Sequence, residues 1–253
     1  MFRPRIIPAL LLRNLGLVKS VGFKDYKYIG DPINAVKIFN DLKADELVFL
    51  DILASREKRV ISLDFVLKVG DEANMPFSVG GGIRTIQDIK SVLRAGAEKV
   101  VINTYAAEDP SFIRKAAEEF GSSTITVCID VKKKFLGKQQ VYIYGGSKST
   151  SLDPVSFAKS MEEMGAGELI INSIDRDGSM EGYDIDLIRT VSDSVTIPVV
   201  ALGGAGSLTD LNEAVKNGHA SAVAAGSMFV FHGPRRAVLI NYPQPEELKN
   251  IFK

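Results

Sequence analysis

Four polar residues stand at the ends of apolar runs, where parallel strands would bring them to one edge of a sheet: Asp51, Asn103, Asp130 and Ser173. Asp130, which ends the run Ile125–Asp130, is the strongest candidate for proton transfer. A carboxylate at the end of an apolar strand is partly desolvated, and desolvation favours the protonated form that a general acid needs. The alternative is a structural carboxylate that accepts hydrogen bonds from loop amides.

Two glycine turns predict phosphate sites. Gly82 and Gly204 each end a predicted strand and open a predicted helix, where free backbone N–H groups and the helix dipole favour an anion. Each turn has a second wall, Asn103-Thr104 for the first and Gly226-Ser227 for the second. The pair predicts two phosphate sites that face each other. Tight-turn geometry without a ligand is the alternative.

Four charged residues stand at the starts of predicted strands, and they are Arg5, Glu46, Lys99 and Glu168. Each is in phase with an apolar residue two positions on, so strand alternation puts the charge and the apolar side chain on one face. If that face lines a barrel, the charges form a ring of two cations and two anions at its N-terminal mouth. Charges inside a barrel are costly unless paired. The ring is either a stabilising plug or a gate on a passage.

A repeat of strand and helix organises the chain. Eight short apolar runs predict strands: Arg5–Leu12, Glu46–Asp51, Phe77–Val79, Lys99–Asn103, Ile125–Asp130, Glu168–Ser173, Val199–Leu202 and Ala220–Ala225. Segments of helical period lie between most of them, including Thr85–Ala95, Pro110–Phe120, Pro154–Met164 and Leu208–Asn217. Eight parallel βα units fit a closed (β/α)8 barrel better than an open sheet, and such barrels carry their active sites at the C-terminal ends of the strands.

The chain also repeats itself at an offset of 122 residues, which places Pro76 on Pro198 and Asp88 on Asp210. The repeat predicts a TIM barrel made of two (β/α)4 halves, as one domain over residues 1–253. The segment Lys132–Lys138 is predicted to be a solvated hairpin rather than a binding patch.

Composition excludes several classes of function. Lys and Arg number 31 and Asp and Glu 31, so no net charge draws the chain to nucleic acid or to a membrane surface. One cysteine, Cys128, and two histidines leave no disulfide framework and no usual zinc site. We expect no metal, no cofactor, no membrane span and a cytoplasmic location.

Five segments together resemble the cyclase subunit of imidazole glycerol phosphate synthase, and they are residues 5–8, 45–51, 79–83, 173–178 and 203–206. The resemblance implies a (β/α)8 barrel with a glutaminase partner at its N-terminal face. Glutamine-derived ammonia would then cross the barrel to a substrate with two phosphates, giving imidazole glycerol phosphate and an aminoimidazole carboxamide ribonucleotide. It also implies that the four charges are an ammonia gate and that Gly178 binds phosphate. Lys19 and Asp177 would belong to the same site. Asp177 is predicted to position a loop, and a local turn network is the alternative.

The first strand departs from the family pattern. Family members carry Ile-Pro-Cys-Leu-Asp-Val there, and Leu11 occupies the place of the aspartate, which is the first of two catalytic carboxylates. Its partner position, Asp130, is kept. This change, with the segment 224–234 after the eighth strand, resembles a divergent branch that accompanies acetamidino modification of surface sugars such as O-antigen precursors. In that branch a separate sugar amidotransferase ligase is thought to use the ammonia.

The sequence therefore predicts a cyclase-family subunit that passes ammonia to a phosphorylated or nucleotide-linked small molecule and closes the imidazole ring poorly. One alternative is an authentic histidine-pathway cyclase with a compensated acid/base pair. The other is a non-catalytic scaffold or activator of the glutaminase.

Overall fold

Eight parallel strands close into a barrel in the computed structural model, which describes residues 3–134 and 137–252. The strands are β1 (Arg5–Arg13), β2 (Gly16–Val21), β3 (Lys24–Gly30), β4 (Leu47–Asp51), β5 (Phe77–Gly80), β6 (Lys99–Ile102), β7 (Ile125–Lys133), β8 (Gln139–Ile143), β9 (Lys148–Ser149), β10 (Glu168–Ser173), β11 (Val199–Leu202), β12 (Ala222–Ala225), β13 (Phe231–His232) and β14 (Ala237–Val238). The helices are α1 (Pro32–Asp41), α2 (Leu63–Glu72), α3 (Ile86–Arg94), α4 (Thr104–Glu108), α5 (Ser111–Phe120), α6 (Pro154–Glu163), α7 (Ile185–Ser192), α8 (Leu208–Lys216), α9 (Ser227–Val230) and α10 (Pro245–Ile251).

The barrel order is β1-β4-β5-β6-β7-β10-β11-β12, and β12 pairs in parallel with β1 to close it. Closure leaves no free edge among these eight strands, and helices cover the outer face. The predicted (β/α)8 barrel is confirmed. In the part of the chain that the structure describes, no helix is long and apolar enough to cross a membrane.

Two apolar layers hold the barrel. The larger lies between the strands and the helices and includes Phe39, Phe49 and Phe229, which are fully buried. The smaller fills the barrel interior, where alternate residues of each strand point inward: Ile7, Ala9, Val48, Val101, Cys128, Ile170, Val200, Leu202, Ala222 and Ala224. Because both faces of each strand are buried, the strands are nearly continuous apolar runs.

Antiparallel strands extend the barrel at its C-terminal end. β2 and β3 form a hairpin on β1, and β8 pairs with the last four residues of β7. The predicted hairpin Lys132–Lys138 lies at the β7–β8 connection, although Phe135 and Leu136 lie outside the described residues.

The two halves begin corresponding helices in the same way. Thr85 and Asp88 form a capping box at α3, and Ser207 and Asp210 form one at α8. These boxes correct the prediction that Gly82 and Gly204 open helices directly. Both helices begin several residues after the glycines, and at each start the cap hydroxyl accepts from the aspartate N–H while the aspartate carboxylate accepts from the cap N–H.

Candidate active site

A cavity of about 340 Å³ opens at the C-terminal ends of the barrel strands. This volume is within the range of pockets that hold small molecules. It brings together most of the residues predicted for the site: Leu11, Lys19, Asp51, Gly82, Asn103, Thr104, Asp130, Asp177, Gly178, Gly204, Gly226 and Ser227. The strand ends of both halves therefore share one cavity.

Asp130 lies on the floor of this cavity and is 7% exposed. Burial raises the pKa of its carboxyl to about 7, and the negative charge of Asp177 acts in the same direction. Two side-chain amides oppose the rise by donating to the carboxylate, from Asn172 Nδ2 at 2.9 Å and from Asn103 Nδ2 at 3.2 Å. A carboxyl with this pKa can both hold and release a proton near neutral pH.

Leu11 lines the same cavity from β1 and is only partly buried. It pairs with Leu50 of β4 on one side and with Val18 of β2 on the other. Its surroundings on the sheet are thus aliphatic, and its own side chain can neither donate nor accept a proton.

Lys19 and Asp177 connect the β2–β3 hairpin to the cavity. The Lys19 ammonium is buried against the carbonyl oxygen of Ala9, and burial lowers the pKa of Lys19 to about 8 while Asp177 opposes that shift. Asp177 accepts from Ser20 Oγ at 2.7 Å, and its carbonyl oxygen accepts from the N–H of Gly22 at 2.9 Å. Burial raises the pKa of Asp177 as well. Asp177 therefore holds the hairpin over the cavity.

Both glycine turns lie on the cavity wall. Gly82 and Gly204 have φ values of +67° and +120°, which favour glycine, and a Cβ on either would overlap a neighbouring carbonyl oxygen. Asn103 and Gly226 also line the cavity and precede the short helices α4 and α9, whose first turns have no side-chain cap. Backbone N–H groups without a side-chain cap therefore lie next to the cavity at the starts of α4 and α9.

Asp51 and Ser173 differ in their relation to the cavity. Asp51 lines it, but its carboxylate is held by Arg59 Nη1 at 2.6 Å and by the N–H groups of Leu53 and Ala54. Asp51 thus orders the segment after β4. Ser173 is buried and, among the described residues, is not one that lines the cavity. Strand alternation explains this, because Ser173 is out of phase with the inward-facing residues Glu168 and Ile170.

The four charged residues meet at the N-terminal end of the barrel. Arg5 bonds to both Glu46 and Glu168, and Lys99 Nζ lies 3.4 Å from Glu46 Oε1 and 3.1 Å from Glu168 Oε1. Each glutamate thus has two cationic partners and each cation two anionic ones. The glutamates are almost fully buried, so the ring offsets a desolvation cost that an unpaired charge would leave.

Within residues 3–134 and 137–252, no group of three or more histidine, cysteine, aspartate or glutamate side chains could hold a metal ion.

Comparison with known proteins identifies the family. The model of the "Histidine biosynthesis protein" family matches residues 5–234. A Pseudomonas aeruginosa protein provisionally named imidazole glycerol phosphate synthase subunit hisF2 is 46% identical over 248 residues, 98% of this chain and 99% of its own. A Leptospira interrogans protein with the provisional name HisF is 44% identical over 253 residues, 100% of both chains. This chain belongs to the HisF family of imidazole glycerol phosphate synthase cyclase subunits.

A third relative, the imidazole glycerol phosphate synthase subunit HisF of Alkaliphilus metalliredigens, is 44% identical over 232 residues, 92% of each chain. The family resemblance inferred from the sequence is thereby confirmed at the level of the HisF cyclase subunit. In this chain the cavity is lined by Leu11 from β1 and by Asp130 from β7.

Two residues of this HisF-family site escaped the sequence reasoning. Asn172 donates to Asp130, and Arg59 holds Asp51. Asn172 is in phase with Glu168 and Ile170 on β10, so strand alternation from Glu168 was a usable signal. Arg59 lies in the loop after β4, and nothing in the sequence pattern fixes its direction.

Proposed function

We propose that this chain takes ammonia from a glutaminase partner at the N-terminal face of the barrel and delivers it to a phosphorylated or nucleotide-linked acceptor at the cavity. We further propose that it serves acetamidino modification of a surface-sugar precursor and closes the imidazole ring poorly. The observation that carries the proposal is the combination of a charge ring, an apolar interior and a cavity in one barrel with Leu11 at the cavity.

The apolar interior suits neutral ammonia and excludes ammonium. Ile7, Val48, Val101 and Ile170 follow the ring residues on their strands, two positions on, and all are buried in the interior cluster. A charged ion would lose its hydration there without a partner, whereas ammonia loses far less. Ammonia that enters at the ring would therefore stay neutral until it reaches the polar floor of the cavity.

The ring is suited to act as a gate because its ion pairs close the N-terminal mouth of the barrel but can open again when one side chain moves. Lys99 makes the two longer contacts of the ring, at 3.4 Å and 3.1 Å, and its flexible side chain is 21% exposed. Arg5 binds both glutamates independently. Lys99 can thus swing away while each glutamate keeps one cationic partner.

The lining of the cavity supports two parts of the proposal, namely a phosphorylated acceptor and poor closure of the imidazole ring. The two glycine turns on the cavity wall, together with the uncapped starts of α4 and α9, would contact the phosphates of a substrate with phosphate at both ends. Asp130 is able to exchange a proton, but the position of Leu11 is not, and losing one member of an acid/base pair typically lowers the rate by about 10²–10⁴-fold. The sugar ligase as a further partner follows from the resemblance of this departure, and of residues 224–234, to the acetamidino branch.

The test is Lys99→Ala in the complex reconstituted with its glutaminase. The quantities measured are glutamate formed and acceptor amidated, with the bis-phosphate substrate and nucleotide-linked sugars assayed separately. We expect glutamine hydrolysis to continue while amidation falls behind it, because ammonia escapes through the opened mouth. Activity with added ammonium salts should change less.

Lys115→Ala on the exposed side of α5 is the matched control and should keep the wild-type ratio. If the folded, complexed Lys99→Ala variant kept the wild-type ratio of glutamate formed to acceptor amidated, the ring would have only a structural role. Glutamine hydrolysis that depends on this chain, with no acceptor amidated by wild type under any condition, would favour the scaffold instead.

Ring closure in histidine biosynthesis is the second candidate, and the 44% identity to the HisF subunit of Alkaliphilus metalliredigens favours it. Complementation of a histidine auxotroph that lacks its cyclase distinguishes the two. Growth with the wild-type chain supports the histidine pathway, whereas growth only with Leu11→Asp supports the main proposal.

A further inference from the structure

Asn172 makes a buried contact that the proposed chemistry does not yet use. It lies on β10, is 5% exposed, and donates from Nδ2 to Asp130 Oδ1 at 2.9 Å. Because an ionised carboxylate only accepts hydrogen bonds, the amide must turn its NH2 group toward Asp130. The orientation of Asn172 is therefore set by the charged form of Asp130.

This orientation leaves the other end of the amide without a partner. Asn172 Oδ1 is buried and accepts no hydrogen bond from any residue that the structure describes. A buried acceptor without a donor is destabilising. The oxygen fits beside Gly203, where a Cβ would approach it to 2.7 Å. An apolar side chain of similar size at position 172 would avoid the unpaired oxygen, so stability alone does not account for the asparagine.

Asp130 faces few other groups that could hold it. Asn103 Nδ2 donates to Oδ2 at 3.2 Å, and the Cys128 thiol lies 3.8 Å from Oδ1. The negative charge of Asp177 opposes ionisation of Asp130, while the Lys19 ammonium acts on Asp177. The Asn172 contact is the shorter of the two amide contacts and the larger influence that favours the carboxylate.

We propose that Asn172 is a positioning residue for Asp130: its amide fixes Oδ1 and stabilises the ionised carboxylate, so that Oδ2 is presented for proton transfer. This inference rests on the role of Asp130 as the proton-transfer group in the proposed function. A hydrogen bond to the charged form lowers the pKa of an acid. Without Asn172, a smaller fraction of Asp130 would be ionised at neutral pH and available to act as a base.

The test is the titration of the Asp130 carboxyl by ¹³C NMR in the full-length chain and in Asn172→Leu. Leucine has a similar size and removes both the donor and the unpaired oxygen. We expect the apparent pKa of Asp130 to rise by about one unit, a tenfold change in proton affinity, while the urea midpoint at pH 4, where folded Asp130 is protonated in both proteins, stays at or above that of wild type. A purely structural role predicts the opposite pattern, with a lower midpoint and an unchanged titration.

Asn172→Ala is the second variant, in case leucine disturbs folding, and the same rise is expected. Asn212→Leu on α8 is the matched control, since Asn212 also carries a buried, unpartnered Oδ1 in the described chain. An Asp130 titration that is unchanged or lowered in the folded Asn172 variants overturns the proposal. Because the measurement needs neither acceptor nor glutaminase, its outcome is independent of whether sugar amidation is found.

Discussion

Replacing Asp130 with asparagine is expected to stabilise the folded chain at neutral and alkaline pH. Burial raises the pKa of Asp130 from 3.8 to about 7, a difference that corresponds to about 4 kcal/mol between the two protonation states. Asparagine keeps the shape but presents its NH2 group to one of the two amides that now donate to the carboxylate. Because one hydrogen bond is lost, the expected net gain is about 2 kcal/mol.

The gain should depend on pH in one direction. Below about pH 4, Asp130 is protonated in both the folded and unfolded states and carries no penalty. As the pH rises from about 4 to about 7, the unfolded chain releases this proton first, so the folded wild type loses stability relative to it. Above about pH 7 the penalty is complete. Asp130→Asn has no such proton but lacks the hydrogen bond at every pH, so it should be less stable than wild type near pH 4, by about 2 kcal/mol, and more stable at pH 8.

Urea unfolding followed by circular dichroism between pH 4 and pH 8.5 measures the effect, because a shift of the midpoint at constant slope reports stability. Asp71→Asn on the exposed side of α2 is the matched control and should show no such pH dependence. A difference between Asp130→Asn and wild type that is the same at every pH would refute the reasoning. So would a variant that is less stable than wild type at pH 8.

Three other outcomes are expected. Leu11→Asp should raise ammonia-dependent cyclisation of the bis-phosphate substrate by about 10²–10⁴-fold, and stopped assays of product would show no increase if the rest of the site were incompetent. Crystals soaked in phosphate should hold an anion at each glycine turn, and density at neither would contradict retained phosphate binding. Gly82→Ala should lower the melting temperature more than Gly121→Ala, because both have positive φ but only Gly82 has a carbonyl where the Cβ would lie; equal shifts would argue against the close approach.

The barrel strands were predictable because their signal is local. The predicted runs Glu168–Ser173 and Val199–Leu202 coincide with β10 and β11, since burial on both faces makes such strands apolar throughout. The β2–β3 hairpin was missed for the opposite reason. β3 is mostly exposed and carries lysine, aspartate and tyrosine, so it shows no apolar run, and its pairing with β2 depends on tertiary contacts.

Site residues on strands could be predicted from the alternation of side chains, whereas the positions of residues in loops could be predicted less well. The alternation of side chains along each strand was enough to predict that the four ring charges meet. The same alternation explains why Asn172 faces Asp130 while Ser173 does not. The glycine turns were found, and the predicted segments Thr85–Ala95 and Leu208–Asn217 coincide with α3 and α8, although the two helices do not begin at the glycines themselves. Their true starts depend on the capping boxes, whose aspartates stand six residues beyond each of the two glycines.

The proposed function separates the transport of ammonia from the chemistry that uses it, because the charge ring lies at one end of the barrel and Leu11 at the other. Burying Glu46 and Glu168 costs desolvation that well-packed apolar residues would avoid, so stability alone does not account for the ring. A passage needs the ring and the apolar interior but does not need a second proton-transfer group at its exit. In the proposed function, Leu11 stands where such a group would lie, while Asp130, its amide partners and the glycine turns remain in place. A barrel that delivers ammonia for chemistry completed elsewhere has these properties.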